Sequence, residues 1–153
     1  FFTIDEQEYI QKDLKLTHWG YFEPWDSYRN YLFAKKKLPF QESETANVGT
    51  FTNFAQNDQA FFALHTYLMY LKFGFGRATQ DAGIEIRRGA MTREQAKNLV
   101  KLYDNQYPEK FEKQYLDYYQ MKLEDFNKVL DKHVNKNLFE KKNGRWSPIF
   151  EID

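Results

Sequence analysis

The stretch KFGFGRATQDAGIEIRRGAMTREQAKNLV, Lys72–Val100, reads as two helices set apart by glycine punctuation. Gly74 and Gly76 break an apolar run beside Phe73 and Phe75. Arg77 to Arg88 then has helical composition up to Gly89, a natural C-terminal glycine. Thr92 to Gln95, TREQ, is a capping box in which the Thr hydroxyl and the Gln side chain satisfy each other's orphan backbone N–H groups. Behind it Ala96, Leu99, Val100 and Tyr103 share one helical stripe. So much fixed charge directly behind a glycine-broken apolar run has two explanations: a ligand site, or a salt-bridged surface helix.

On the N-terminal side, Asp58 can cap a helix whose Phe61, Leu64, Leu68 and Leu71 recur at helical spacing up to Gly74. Residues 38–57 are polar, with Pro39, Gly49 and several Asn and Thr, and read as a long loop of the kind that often carries function. Asp26 or Ser27 caps a helix through about Lys37, after a bend at Pro24. LTHWGYF, Leu16–Phe22, is short and aromatic enough for a strand, and Ile4 to Leu14 reads as a short helix with Asp5, Glu6 and Glu8 in its first turns. On the C-terminal side, Pro108 opens a helix, and Phe126, Val129, Leu130 and His133 share a face within Leu123–Val134. Asn143-Gly144 marks a hairpin between two short apolar runs. The expected fold is mainly α, a helical domain with a short strand or hairpin and no internal repeat.

With 153 residues the chain is one domain's worth, able to bury about 70% of its unfolded surface. Twenty-two Lys and Arg balance 22 Asp and Glu. That balance argues against a general nucleic-acid or membrane-surface binder, which needs a basic excess. No run approaches the roughly 20 apolar residues of a membrane span. Without cysteine there is neither a disulfide framework nor a thiolate metal site. His18, His65 and His133 lie far apart with no second ligand at helical spacing, so no metal site is expected. The chain begins Phe1-Phe2-Thr3, which suggests a piece of a longer protein. Its 19% aromatic content suggests rings that pack against a missing part or a second copy.

Two constellations carry chemistry. On a helix, Arg77, Asp81, Ile84 and Arg88 fall on one stripe, with Glu85 one turn beyond Asp81. The plain interpretation is an exposed helix laced with ion pairs worth a few tenths of a kcal/mol each. The functional one notes that an arginine just behind a glycine turn sits at a helix N-terminus, which attracts anions, and forks onto phosphate or carboxylate. Arg87 and Arg88 point in different directions, so at most one of them joins Arg77. The second constellation is GYFEPWDSYRN, Gly20–Asn30, where Trp25 can stack on a base or sugar and Asp26 can accept from a hydroxyl. Its plain interpretation puts Trp25 in the core and leaves Asp26 as a helix cap.

YLKFGFGRATQDAGIEIRRGAMTREQAKNLVKLYDNQYP closely resembles the N-acetyl sugar amidotransferases of lipopolysaccharide biosynthesis, the WbpG-like family. GYFEPWDSYRN and VGTFTNFAQNDQ resemble two further blocks of that family in the same order. The resemblance implies a C-terminal portion, residues 1–153, of a cytoplasmic enzyme. Its N-terminal part would be a Rossmann-like PP-loop ATP pyrophosphatase with a Ser-Gly-Gly nucleotide loop. It implies conversion of an acetamido to an acetamidino group on a nucleotide-linked sugar during O-antigen assembly. ATP, with Mg, would adenylate the amide oxygen and ammonia would displace AMP. Glutaminase and cyclase-like subunits would supply the ammonia, and a homodimer is a further expectation.

This chain has no Ser-Gly-Gly loop, so the piece alone is expected to be inactive. At positions matching the family, the expected substrate contacts are Arg77, Asp81, Glu85, Arg87, Arg88, Trp25 and Asp26, with Arg77 as the anion contact and Asp81 either orienting it or accepting from a substrate hydroxyl. No catalytic residue is assigned. The alternative is a helical interaction module that docks the ammonia-supplying partner and does no chemistry.

Overall fold

A computed structural model describes residues 6–13, 15–56 and 60–152. Its centre is α3, Ala60–Phe73, which buries Leu64, Tyr67, Tyr70 and Leu71 along one side. The first half of α3 packs on α6 (Glu112–Tyr119) and α7 (Leu123–His133), where Leu64 meets Tyr115, Phe126 and Leu130. Its second half packs on an antiparallel hairpin of β1 (Phe139–Lys142) and β2 (Arg145–Pro148), where Tyr70 and Leu71 meet Val134 and Phe139. Tyr107 touches both clusters and joins them.

Beyond the left-handed Gly74 (φ +82°), the chain turns into a helical hairpin of α4 (Arg77–Arg87) and α5 (Arg93–Tyr103). Small side chains let these helices approach closely: Ala82, Ala96 and Val100 form their shared core, with Phe51 and Ile152 against it. Two shorter helices precede α3: α1 (Glu6–Gln11) and α2 (Ser27–Lys37). Among the described residues the chain is mainly helical, and no helix is long and apolar enough to cross a membrane.

Most local signals act as their chemistry demands. The Thr92–Gln95 capping box forms in both directions, and Asp26 caps α2 by accepting the Arg29 N–H at 2.9 Å. Asn143 and Gly144 both take positive φ, as a two-residue hairpin turn requires. Pro108 leads through a 3₁₀ turn, Glu109–Phe111, directly into α6. Asp58, Ile4, Asp5 and Leu14 lie outside the described residues.

Three expectations need correction. Leu16–Phe22 is not a strand. It holds a single 3₁₀ turn at Trp19–Tyr21, because the two-stranded sheet lies elsewhere and nothing is placed to pair with it. On α3 the expected stripe loses only its first member: Phe61 is exposed, whereas Leu64 and Leu71 are buried and Leu68 packs against the core. Thr66, which bonds back to the Ala63 carbonyl, Tyr67 and Tyr70 widen that buried face. His133, expected on the apolar face of α7, is exposed, as is His65 on α3.

The segment 38–56 holds neither helix nor strand, yet it is tied down along its length. Ser43 and Asn53 exchange hydrogen bonds, and the Asn47 amide donates to the Ala55 carbonyl at 2.7 Å. Phe54 stacks on Tyr31 of α2 with ring centroids 4.4 Å apart. Glu42 accepts from the Tyr31 hydroxyl and from Lys35, and the Lys35 ammonium holds the Glu42 carboxyl below its ordinary range.

The contact that closes the α4–α5 hairpin is Asp104, a buried carboxylate just past the end of α5. It accepts from the Gly76 N–H at 2.9 Å, the Thr79 N–H at 3.2 Å and the Thr79 hydroxyl at 2.5 Å. These donors are the otherwise orphaned groups of the first turn of α4, where a negative charge also meets the helix dipole favourably. A Cβ at Gly76 would stand 2.8 Å from Asp104 Oδ1, which is why glycine occupies that position.

Asp104→Ala leaves the buried Gly76 N–H without an acceptor, so urea unfolding should show a loss of about 2–3 kcal/mol. Asp104→Asn, which keeps one acceptor oxygen, should lose less. A second test concerns the hairpin, where Asp131 accepts from Lys141 and from the Trp146 indole at 2.7 Å. Lys141 first, then the indole, holds the Asp131 carboxyl below its ordinary range. The resulting stabilisation is complete above the ordinary carboxylate value near 4 and is lost as pH falls through the depressed folded value. Acid titration of Trp146 fluorescence should therefore show the hairpin loosening below about pH 4 in the parent, and Asp131→Asn should abolish that step.

Candidate functional site

Arg77 opens α4, but its side chain does not reach into solvent. It is only 6% exposed and folds back under the loop, with its guanidinium 4.9 Å over the Phe62 ring. One amino group donates to the Ala55 carbonyl at 2.9 Å, and Nε lies 3.5 Å from Asp81 Oδ2. The same Asp81 oxygen accepts from the fully buried Thr50 hydroxyl at 2.6 Å. Burial pulls the Arg77 pKa down while Asp81 opposes the shift, and the group stays cationic at neutral pH. Arg77 and Asp81 thus form one knot that pins residues 50–55 to α4.

Glu85 and Arg88 form a second knot at the far end of the helix, about 11 Å along its axis from the first. Arg88 Nε donates to Glu85 at 2.6 Å, and its guanidinium lies 4.9 Å over the Tyr28 ring of α2. Glu85 above all, with Asp26 adding its field, raises the Arg88 pKa. Arg87 is exposed and makes no ion pair among the described residues. Trp25 belongs to neither knot. At 70% exposed it is not the core tryptophan of the plain interpretation, and it lines a surface groove with Trp19, Arg29 and Phe33. The seven expected site residues are therefore distributed over three places rather than one.

Sequence reasoning missed what surrounds Arg77. Its side chain lines a crevice of about 50 Å³ together with Ser43, Asn47, Gln56 and Lys110. Lys110 lies 33 residues further along the chain, on the 3₁₀ turn before α6, so no local spacing could reveal it. Asp104 was also missed. Its carboxylate already fills the α4 N-terminus, so any external anion must approach Arg77 from the crevice and not along the helix axis. The volume admits one anionic group, such as a carboxylate or part of a phosphate, and no whole sugar. A larger cleft, about 480 Å³, lies between α7 and the hairpin. Its charged groups are engaged internally, Glu109 with Arg145, Asp131 with Lys141 and Glu112 with the Tyr107 hydroxyl. Among the described residues no three His, Asp or Glu side chains gather as metal ligands.

The two knots predict opposite behaviour. Arg77→Ala should cost about 2–4 kcal/mol and speed proteolytic cleavage within residues 43–56, because a half-buried carboxylate loses its partner and the Ala55 carbonyl its donor. Arg88→Ala should leave both stability and cleavage close to the parent, since its pair is at the surface.

No curated protein matches the chain significantly. Residues 48–152 match the family described as LPS biosynthesis protein WbpG-like, C-terminal domain. The match begins where the Thr50–Ala55 loop docks on α4 and runs through the hairpin, so it contains both knots' helix and Lys110, while Trp25 and Asp26 precede it. The chain belongs to the WbpG-like family of lipopolysaccharide biosynthesis proteins and carries their C-terminal domain.

Proposed function

We propose that this domain supplies substrate contacts to an ATP-dependent N-acetyl sugar amidotransferase, which converts an acetamido to an acetamidino group on a nucleotide-linked sugar. The observation that supports this best is the crevice where Arg77, backed by Asp81 and Phe62, meets Lys110. A guanidinium carries five N–H donors, and the Ala55 carbonyl and Asp81 engage only part of that fork. The remaining donors, with the Lys110 ammonium, suit a phosphoryl or carboxylate group of the substrate. In this reading Asp81 sets the guanidinium plane, and Glu85, Arg87 and Arg88 flank the approach. Trp25 and Asp26 serve the sugar or base from α2's end.

ATP does not fit the residues of this chain. There is no Ser-Gly-Gly loop, and the one glycine-flanked helix start is filled by the Asp104 carboxylate. Activation of the amide, and the Mg that accompanies ATP, are assigned to the family's other parts, and the isolated domain is proposed to be inactive. A second reading, a docking module for glutaminase and cyclase-like subunits, draws on the exposed aromatic side chains before α3.

The separating experiment is Lys110→Ala in the complete enzyme, because Lys110 is exposed and holds no structural contact beyond the Phe111 ring. The expected outcome is a rise of about tenfold in KM for the nucleotide sugar, with thermal stability and subunit assembly unchanged. An unchanged KM would sink the crevice as the anion contact. Lost assembly with normal KM would favour the docking module.

A further inference from the structure

The chain exposes 11788 Å² of surface, whereas a compact 18.5 kDa protein is expected to expose about 8200 Å². The apolar share of that surface is concentrated: Leu16, Trp19, Phe22, Trp25, Leu32 and Phe33 are all exposed and follow one another within one short segment. This segment lies wholly before Val48, where the C-terminal family domain starts. Helix α2 has no buried residue, although an eleven-residue helix is marginal without packing on an apolar face. One side of it is held by Tyr31 on Phe54, and the opposite side presents Arg29, Leu32, Phe33 and Lys36.

We propose that α2 and the Trp19–Trp25 turn are the seat of the N-terminal domain of the WbpG-like protein, through a surface apolar at its centre and acidic at its edge. This does not depend on the amidotransferase reading. The acidic edge follows from Lys36 and Lys37, which have no ion-pair partner among the described residues and border the apolar face. In a two-fold pairing of two copies centred on Leu32 and Phe33, Lys36 stands beside its own copy when the helices run parallel. Antiparallel, it meets Arg29, which Glu23 already pairs at 2.9 Å, so neither arrangement gives Lys36 and Lys37 an acidic partner of their own.

Hydrogen exchange tests the proposal, comparing this chain alone with the same sequence placed behind the N-terminal region of a WbpG-like protein. Amides of residues 27–37 should exchange at least about tenfold more slowly in the longer protein. The double change Leu32→Asp, Phe33→Asp should remove that gain while α3 and α7 keep their own rates, which shows the domain still folded. Equal rates for residues 27–37 in the two proteins overturn the proposal. So does protection that appears in the chain alone as its concentration rises, which assigns the surface to a second copy. Protection of the chain alone on phosphatidylglycerol vesicles assigns it to a membrane and also overturns it.

Discussion

The seating of the Asp104 carboxylate on the first turn of α4 is the constraint from which the middle of the molecule follows. It ties the end of α5 to the beginning of α4, so the two helices return on each other and bring Ala82 against Ala96 and Val100. It also requires a residue without a side chain at Gly76, since any Cβ would meet the carboxylate. With that end satisfied internally, Arg77 cannot act as the companion of a phosphate bound on the helix axis. It turns sideways to the loop, and the loop is held in consequence. A single buried anion therefore fixes a helix pair, a glycine and the direction of an arginine.

The remainder of the core is built from phenols as much as from aliphatic side chains. Tyr67, Tyr70 and Tyr115 are buried around α3. Such rings supply apolar area, but each hydroxyl needs an outlet. Tyr115 donates to the Ala60 carbonyl at 2.8 Å and Tyr107 to Glu112 at 2.8 Å. Burial, with Asp104 adding to it, pushes the Tyr70 hydroxyl up to about 12, so these rings sit neutral in the core. The high aromatic content thus divides into two populations. One is packed here, and the other, Trp19, Tyr21, Phe22, Trp25 and Phe33, is exposed ahead of the α3 core.

Features that depend on neighbours in sequence were legible. The Thr92–Gln95 box, the Asn143-Gly144 turn and the Asp26 cap are each complete within four residues. What needs a distant partner was not. Asp104 reaches Gly76 across 28 residues and Thr50 reaches Asp81 across 31. A strand at Leu16–Phe22 followed from its brevity and aromatic character, but a strand is defined by its neighbour, and among the described residues none is placed there. The α3 stripe was legible at Leu64, Leu68 and Leu71, but counting only Leu and Phe left out Tyr67 and Tyr70, which share the buried face, and kept Phe61, which is exposed. At the site, the pairing of Arg77 with Asp81 and of Glu85 with Arg88 was implicit in helical spacing, while the burial that makes the two pairs different was not.

That difference bears on how charged helices should be read. Arg77 and Arg88 each have a carboxylate one turn away on the same helix and an aromatic ring beneath the guanidinium. They are chemically alike, yet desolvation lowers the pKa of one and the Glu85 carboxylate raises that of the other. Only the buried one carries an electrostatic cost that a further anion could relieve, since a ligand phosphate would add a second negative charge to a cation now sharing one carboxylate with two threonine hydroxyls. The exposed pair offers no such gain, because water already screens it. A ligand site on this helix is therefore better sought where the arginine is least visible from solvent than where arginines are most numerous.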